Sequence, residues 1–240
     1  TINKWVSDQT EEKIQDLIPP GVLNSSVCLV LTNAIYFKAK WELPFKENRT
    51  HDAPFTLLDG KTVDVPMMTQ TAGFEYAEGD GYQAAELPYR DSEASMLLVL
   101  PESGRFEEIE GTFSAESVAT ITEALAKEQV QLSVPKFTFE SEFNLSETLY
   151  EMGMPAAFTG ADFSGMTGNR ELFISEVLHK AFVAVDEEGT EAAAATAVIM
   201  EKSMAPRPGV VMTLDRPFLF LIRDNGTGTI LFLGRVLDPK

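Results

Sequence analysis

Short apolar segments that alternate with polar residues recur along this chain, and they constrain its fold more than any other feature of the sequence. In the first half of the chain they occupy residues 53–57, 61–67, 82–88 and 95–100. A period of two places successive side chains on opposite faces of a strand, so the pattern predicts half-buried strands. The Asp59-Gly60 pair between the first two segments predicts a hairpin turn. We therefore expect β-sheet to dominate the fold.

The rest of the chain adds further strands and a few helices to this sheet. Long strands are predicted at residues 27–41, which we expect to be buried, and 172–185, with shorter strands at 131–139, 217–222 and 229–236. Residues 1–17 are predicted to form a helix followed by a loop, and further helical patterns occupy residues 107–129 and 145–152, the last ending at Gly153. The sequence shows no repeat and no linker typical of a domain boundary. The predicted fold class is α+β.

Composition disfavours several classes of function. Asp and Glu number 37 against 19 Lys and Arg, which gives a formal net charge of -18. Such a charge repels phosphate backbones and anionic lipid headgroups, so we expect neither a nucleic-acid partner nor a membrane partner. No apolar run approaches the roughly 18 to 20 residues that span a bilayer. The single cysteine, Cys28, cannot form an internal disulfide, so an apolar core must stabilise the fold.

Signatures of enzymatic chemistry are scarce in this sequence. The two histidines, His51 and His179, are too few for a histidine-based zinc site, and the sequence has no nucleophile elbow, phosphate-binding loop or dinucleotide fingerprint. His179 lies inside an apolar segment, which favours a hydrogen-bonded core histidine over a catalytic base. We therefore expect no catalytic residues, no metal and no cofactor.

The most unusual segment is residues 187–200, which read EEGTEAAAATAVIM. Alanine is the best helix former, so a surface helix is one interpretation. As a strand, the segment would separate its charges: Glu191 lies on one face, and the face that begins at Thr190 carries none. On the residues alone both interpretations stay open, and the segment could lie exposed in one state and inside a sheet in another. The polar, proline-rich residues 201–209 that follow are predicted to be an exposed loop of the kind a protease cleft accepts.

Several motifs, which occur in the same order, resemble those of the serpins over essentially the whole chain. They are Asn33-x-x-x-Phe37-x-x-x-Trp41-x-x-x-Phe45, Val65-Pro66-Met67-Met68, Ala161-Asp162-Phe163-Ser164-Gly165, His179-Lys180-Ala181, Glu187-x-Gly189-Thr190-Glu191-Ala192-Ala193, Arg216-Pro217-Phe218-Leu219-Phe220 and Leu231-Phe232-Leu233-Gly234-Arg235-Val236. The number of matches and their shared order make the resemblance specific, which no single tripeptide would.

The resemblance implies a serpin fold with large mixed β-sheets, surrounding helices and an exposed reactive loop at about residues 187–208. It implies a protease inhibitor, not an enzyme, whose partner is a serine protease, with cysteine proteases as a further target class. The protease would cut the loop and form an acyl-enzyme. The freed loop would then insert as a new central strand between the strands at 27–41 and 172–185, and so trap the protease covalently.

The resemblance also assigns roles to individual residues. The hinge that begins the loop comprises Glu187, Glu188, Gly189, Thr190, Glu191, Ala192, Ala193, Ala194 and Ala195. Spacing usual in the family places the reactive bond at Ser203-Met204. Lys202-Ser203 is the main alternative and would imply a trypsin-like target, and Met204-Ala205 is a third.

Four further residues match structural positions of the family: Asn33, Trp41, Lys136 and His179. Family position makes Glu187 and Lys136 an ion pair. The alternative is that both are solvated, in which case their interaction contributes only about 0 to 1 kcal/mol.

Serpins carry an additional N-terminal part before the position that matches Thr1. We therefore expect residues 1–240 to be the C-terminal portion of a single serpin domain, either truncated or completed by a separate N-terminal fragment, and otherwise monomeric. The family and the acidic composition imply a secreted or extracellular protein, and a prokaryotic source stays open. Two alternatives are weaker: a non-inhibitory chaperone or carrier serpin should have bulky or charged hinge residues, and a hydrolase needs an organised nucleophile and base.

Overall fold

A computed structural model describes residues 1–91, 93–190 and 209–240 of the chain. Contacts group these residues into two compact units, the first formed by Thr1–Phe37 and Phe139–Val183 and the second by Lys38–Thr138 and Ala184–Lys240. Within the described part, no helix is both long enough and apolar enough to cross a membrane.

Short helices and thirteen strands make up the described residues. The α-helices are α1 (Ile2–Gln9), α2 (Phe106–Thr112), α3 (Ala115–Ala124), α4 (Ser146–Glu151), α5 (Pro155–Thr159) and α6 (Ser164–Thr167), with a 3-10 helix at Glu47–Arg49. The strands are β1 (Leu29–Tyr36), β2 (Ala39–Lys40), β3 (Thr50–Thr56), β4 (Thr62–Gly79), β5 (Tyr82–Pro88), β6 (Ala94–Pro101), β7 (Ala126–Pro135), β8 (Phe137–Asn144), β9 (Ile174–Val185), β10 (Gly189–Thr190), β11 (Val210–Thr213), β12 (Phe218–Asp224) and β13 (Ile230–Val236).

A parallel strand pair defines the first unit. Strands β1 and β9 run in the same direction, with Asn33 opposite His179 and Ile35 opposite Ala181, and β8 pairs with β9. A small apolar cluster forms next to this pair. It consists of Val6, Ile14 and Leu17, with Ala34, Tyr36 and Phe182 packed against them. The chain that leads from α1 towards β1 is therefore anchored on the strands by apolar burial.

An eight-stranded sheet forms most of the second unit. Its order is β11-β7-β4-β5-β6-β12-β13, and β3 pairs with β4 at the side. Strand β6 is buried along almost its whole length, and its residues Leu97 and Val99 pack with Phe106 of α2 and Ile121 of α3. Burial of this face against the two helices forms one apolar cluster of the unit.

Residues 27–41 are predicted to form one long, buried strand. The structure has strand in this region, but the strand is interrupted and is not buried. The structure divides it into β1 and β2, because β1 pairs with β9 whereas β2 pairs with β10. The prediction that this strand is buried was also wrong, since residues 31–33 in the middle of β1 are exposed. An apolar segment of strand length therefore predicted the strand but not its surroundings.

The helix predicted at 107–129 is two helices and the beginning of a strand. Helix α2 ends at Thr112, and Ser114 begins α3 by accepting a hydrogen bond from the Ser117 amide at its side-chain oxygen (3.2 Å). Leu125 is extended, and the next residues join β7, where Ala126 pairs with Tyr76 of β4. Pairing with β4 thus overrides the helical pattern in the last few residues.

Candidate functional site

Strand β9 turns back on itself through a tight hairpin at the start of the predicted hinge. Thr190 of β10 lies opposite Val185 of β9 in antiparallel pairing. The Asp186 amide donates to the Gly189 carbonyl (2.9 Å), and Asp186 Oδ1 accepts from the amides of Glu188 (2.9 Å) and Gly189 (3.1 Å). One aspartate therefore closes the turn from which the loop departs.

The other edge of this hairpin is paired with β2. Gly189 lies opposite Lys40, and Thr190 lies opposite Ala39. A Cβ atom on Gly189 would lie 2.1 Å from the Ala39 carbonyl oxygen and 2.7 Å from Lys40 Cα. The position therefore requires glycine, because the neighbouring backbone leaves no space for a side chain. The Trp41 amide adds a hydrogen bond to the Glu188 carbonyl (2.8 Å).

Thr190 is completely buried, with 0% of its surface exposed. Its Oγ1 atom lies 2.6 Å from the hydroxyl of Tyr89, which is also buried. The Trp41 ring stacks on Tyr89 with centroids 4.6 Å apart and donates from Nε1 to the Asp186 carbonyl (3.0 Å). Burial raises the pKa of Tyr89, although its hydrogen bond with Thr190 opposes the shift, so the hydroxyl keeps its proton.

Glu187 forms the predicted ion pair with Lys136. Its carboxylate accepts hydrogen bonds from Lys136 Nζ (2.8 Å) and Thr50 Oγ1 (2.7 Å), and only 8% of the residue is exposed. Burial alone would raise the pKa of Glu187, but the hydrogen bonds from Lys136 and Thr50 outweigh it and hold the pKa below its usual value. The carboxylate therefore stays charged and anchors the hinge to β3 and to the residue that links β7 to β8.

The neighbouring carboxyl group of Asp186 shifts in the opposite direction. Burial raises the pKa of Asp186 above its usual value, and the hydrogen bonds from the Glu188 and Gly189 amides only partly offset this effect. Glu188, two positions after Asp186, pairs with Lys40 at 3.2 Å on a more accessible surface. Asp186 and Glu187 are thus adjacent acidic groups whose charges respond differently to pH.

Asn33 and His179 lie in the first unit, where they join β1 to β9. Their side chains are 3.0 Å apart (His179 Nδ1 to Asn33 Oδ1), and the Phe143 ring stacks near His179 with centroids 6.2 Å apart. The predicted hydrogen bond of His179 is present, but the prediction that this histidine lies in the core was wrong. His179 is only half-buried, because it lies beside the exposed middle of β1.

The second unit brings together Trp41, Lys136 and the hinge residues 187–190. The remaining hinge residues, Glu191, Ala192, Ala193, Ala194 and Ala195, and the reactive-bond residues Lys202, Ser203 and Met204 lie outside the described residues. Within the described part, no group of three or more His, Cys, Asp and Glu side chains could hold a metal ion.

Sequence reasoning missed three residues that contact the hinge: Tyr89, Thr50 and Asp186. Tyr89 lies 101 positions from Thr190, and no local pattern indicates a contact over that distance. The contact of Thr50 with Glu187 could not be predicted for the same reason, since the two residues lie 137 positions apart. Asp186 did carry a signal, because an aspartate three residues before a glycine is typical of a side-chain-capped turn.

The model of the family described as "Serpin (serine protease inhibitor)" matches residues 1–239. The chain therefore belongs to the serpin family, and its α+β architecture is a serpin fold.

Individual relatives place the chain among both archaeal and animal serpins. It is 45% identical over 241 residues to an uncharacterized serpin-like protein of Thermococcus kodakarensis and 42% identical over 250 residues to human leukocyte elastase inhibitor. These matches cover 100% of this chain but only 56% and 66% of the two relatives. The chain therefore spans only part of the length of the relatives it matches.

Solved structures show the same fold. Uncleaved ovalbumin aligns with a TM-score of 0.90 at 29% identity, covering 99% of this chain and 65% of ovalbumin. Thyroxine-binding globulin in complex with thyroxine aligns with a TM-score of 0.86 at 34% identity, covering 100% of this chain and 64% of that protein. The family therefore includes inhibitors as well as proteins whose names denote other roles.

Proposed function

We propose that the protein is a suicide-substrate inhibitor of serine proteases, which traps the acyl-enzyme by inserting its cleaved reactive loop as a new central strand. The observation that carries this proposal is the register of Thr190. This residue is already paired on both sides, with Val185 of β9 and Ala39 of β2.

The register of the hinge agrees with that of the strand pair that would receive the loop. Asn33 of β1 lies opposite His179 of β9, 146 positions further along the chain. Ala39 and Val185, the two partners of Thr190, are separated by the same 146 positions. A strand that grew antiparallel from Thr190 would therefore meet β1 and β9 in their existing alignment, and insertion would require no shift of one strand along the other.

The composition of the loop suits this path. Counting on from Thr190, Ala194 would lie between Ile35 and Ala181, which are opposite each other in the closed pair. Ala192 and Ala194 share the face of Thr190, and both are small and uncharged. Insertion as far as Met200 would therefore bury no charge on that face, whereas one unpaired charge there would cost several kcal/mol.

Apolar burial and strain in the parent sheet determine whether loop insertion is favourable. New backbone hydrogen bonds contribute about 0.5 to 1.5 kcal/mol each, and ordering the loop costs about 1 to 2 kcal/mol per residue. These contributions nearly cancel for a strand that is bonded on both sides. Burial of the inward face and relief of a strained parent sheet must therefore favour the inserted state.

The covalent step follows the chemistry of acyl transfer. The serine hydroxyl of the protease attacks the carbonyl of the scissile peptide, for which we propose Ser203-Met204, and its proton passes to the leaving amine of Met204. An ester then joins the protease to Ser203. Insertion of residues from Glu191 onward would carry the attached protease away before water hydrolyses this ester. We propose that such encounters take place outside the cell.

A panel of serine proteases tests the proposed function. The full-length protein is incubated with trypsin-like, chymotrypsin-like and elastase-like enzymes, and we expect at least one to form an SDS-stable adduct. Mass spectrometry of the released C-terminal peptide should identify Met204 as its first residue. Clipped protein with no adduct and no gain in heat resistance would contradict the proposal.

A non-inhibitory serpin is the second candidate, because ovalbumin and the thyroxine complex of thyroxine-binding globulin are among the structural relatives. The small, uncharged inward face of the hinge favours the inhibitor. The same incubation separates the two candidates, since a non-inhibitory serpin would be cut without retaining the protease.

A further inference from the structure

We propose that Tyr89 is a positioning residue that docks Thr190 as the nucleus of loop insertion, and that its hydroxyl thereby sets the rate at which the cleaved loop inserts. This inference rests on the proposed function and deepens it. It assigns a timing role to a side chain that lies outside the loop and outside the family motifs found in the sequence.

The backbone and the ring of Tyr89 are both held in place. Its amide donates to the Ala94 carbonyl (3.0 Å), and an isolated bridge pairs it with Trp41. The planes of the Tyr89 and Trp41 rings are nearly parallel, with an angle of 11° between them. Tyr89 is 1% exposed, so its hydroxyl meets Thr190 Oγ1 in a dry environment where the hydrogen bond depends on a fixed ring.

The register of Thr190 indicates that its hydrogen bond with Tyr89 helps insertion to start and does not hold the loop back. A latch would have to break before the loop could insert. Thr190 instead already has the pairing that the inserted strand would give it, with Val185 on one side and Ala39 on the other. Insertion can therefore extend from Thr190 while the bond to Tyr89 stays intact, and the first inserted residue is ordered before the protease cuts the loop.

The docked fraction links this bond to the rate. If insertion begins only from molecules in which Thr190 is docked, its rate is proportional to the fraction of docked molecules. Tyr89→Phe keeps the ring and its stacking on Trp41 but removes the partner of the buried Thr190 hydroxyl. Loss of such a buried hydrogen bond lowers the equilibrium constant for docking by about fivefold, so the docked fraction, and with it the rate, falls by up to the same factor.

The chain offers a matched control and a reciprocal variant. Tyr76 is a second buried tyrosine of the same unit, and its hydroxyl bonds Glu78 (2.5 Å) and Gln83 (2.7 Å). Tyr76→Phe therefore removes a tyrosine hydroxyl with two hydrogen bonds without touching the hinge. Thr190→Val removes the other half of the Tyr89 contact at similar volume, and it serves the same test if Tyr89→Phe does not fold.

Pulsed hydrogen exchange measures insertion without reference to inhibition. The full-length protein is cut in its loop by an excess of protease, and protection of residues 191–200 is followed by mass spectrometry. We expect Tyr89→Phe and Thr190→Val to gain protection more slowly than the parent protein, by up to about fivefold, and Tyr76→Phe to match the parent. The double variant Tyr89→Phe/Thr190→Val should be no slower than Tyr89→Phe alone, because both substitutions remove the same contact.

The outcomes separate the inference from the function beneath it. A parent protein that gains protection, together with Tyr89→Phe at the parent's rate or faster, would overturn the role of Tyr89 and leave the inhibitor proposal intact. Equal slowing in Tyr76→Phe would also overturn it, since the effect would then be general destabilisation. A parent protein that gains no protection after cleavage would remove the inhibitor proposal, and the inference with it.

Discussion

The hinge and the β1–β9 pair are held together by different kinds of contact. At the hinge, buried side chains fix the backbone: Thr190 is bonded to Tyr89, and Glu187 is bonded to Lys136 and Thr50. Between β1 and β9 the described contacts are mainly a ladder of parallel backbone pairs, to which the half-buried His179 and the exposed Asn33 add a side-chain hydrogen bond and Tyr36 and Phe182 add a ring contact.

The difference indicates which contacts should persist during loop insertion, those at the hinge, and which should be replaced, those between β1 and β9. An entering strand can replace backbone hydrogen bonds of a ladder one for one, so separation of β1 from β9 need not leave polar groups unpaired. Specific side-chain bonds at the hinge have no such substitute. We therefore expect substitutions at the hinge to affect inhibition strongly, and substitutions between β1 and β9 to affect stability mildly.

Thr190→Arg should have the largest effect. The guanidinium would enter a completely buried position, and burial of an unpaired charge costs several kcal/mol. We expect this variant to be cut as a substrate and to form little SDS-stable adduct in a titration of inhibitor against protease.

The matched control is Glu191→Arg. The sequence pattern places residue 191 on the opposite face, so the same new charge should leave adduct formation close to that of the parent. Adduct formation by Thr190→Arg at the parent's rate would show that the buried face of the hinge does not limit insertion.

Glu187→Gln should have the next largest effect, and its effect should depend on pH. We expect the free energy of unfolding to fall by about 1 to 2 kcal/mol at pH 7, because a hydrogen bond to a charged group is lost. Since the pKa of Glu187 is lowered by folding, its contribution is complete above the usual value of 4.5 and is lost as the pH falls through the folded pKa. Urea unfolding from pH 7 to pH 3 should show the variant and the parent converging in acid.

Asp186→Asn sharpens this test because the pKa of Asp186 is raised and not lowered. The amide oxygen can still accept from the Glu188 and Gly189 amides, while the cost of burying a charge disappears. We expect this variant to be more stable than the parent at pH 7, with a gain that vanishes below the usual pKa of 3.8. Parallel pH profiles for the two variants would contradict the opposite pKa shifts.

Asn33→Ala should have the smallest effect. It removes the side-chain bond to His179 but leaves the backbone ladder, and the residue is exposed, so we expect a loss of about 0.5 kcal/mol in thermal or urea unfolding. Thr32→Ala on the same exposed stretch of β1 is the control. A loss for Asn33→Ala as large as that for Glu187→Gln would remove the contrast between the two regions.

Local patterns predicted much of this fold because they act within a few residues. The hairpin at Asp59-Gly60 joins β3 to β4 as expected, and Gly60 has the positive φ of 81° that favours glycine. The helix at residues 145–152 also forms near its predicted place, with Gly153 at φ 106° after its end. Turn chemistry and period therefore sufficed for these elements.

Contacts between distant segments could not be predicted in the same way. Residues 126–129 continue a helical pattern, yet they pair with β4, whose residues lie far back in the sequence. The contact of Tyr89 with Thr190 depends on the same kind of long-range pairing. The motif resemblance did predict the ion pair of Glu187 and Lys136, whereas physical reasoning from charge alone left it open.

The position of Thr190 also bears on how this family can vary. Because its register determines which later side chains face inward, the addition of two residues beyond it preserves the alternation, and the addition of one inverts it. We expect the loop ahead of the reactive bond to change length in even steps, while residues at the bond itself adapt to new proteases. Target choice and trapping could then diverge independently within one chain.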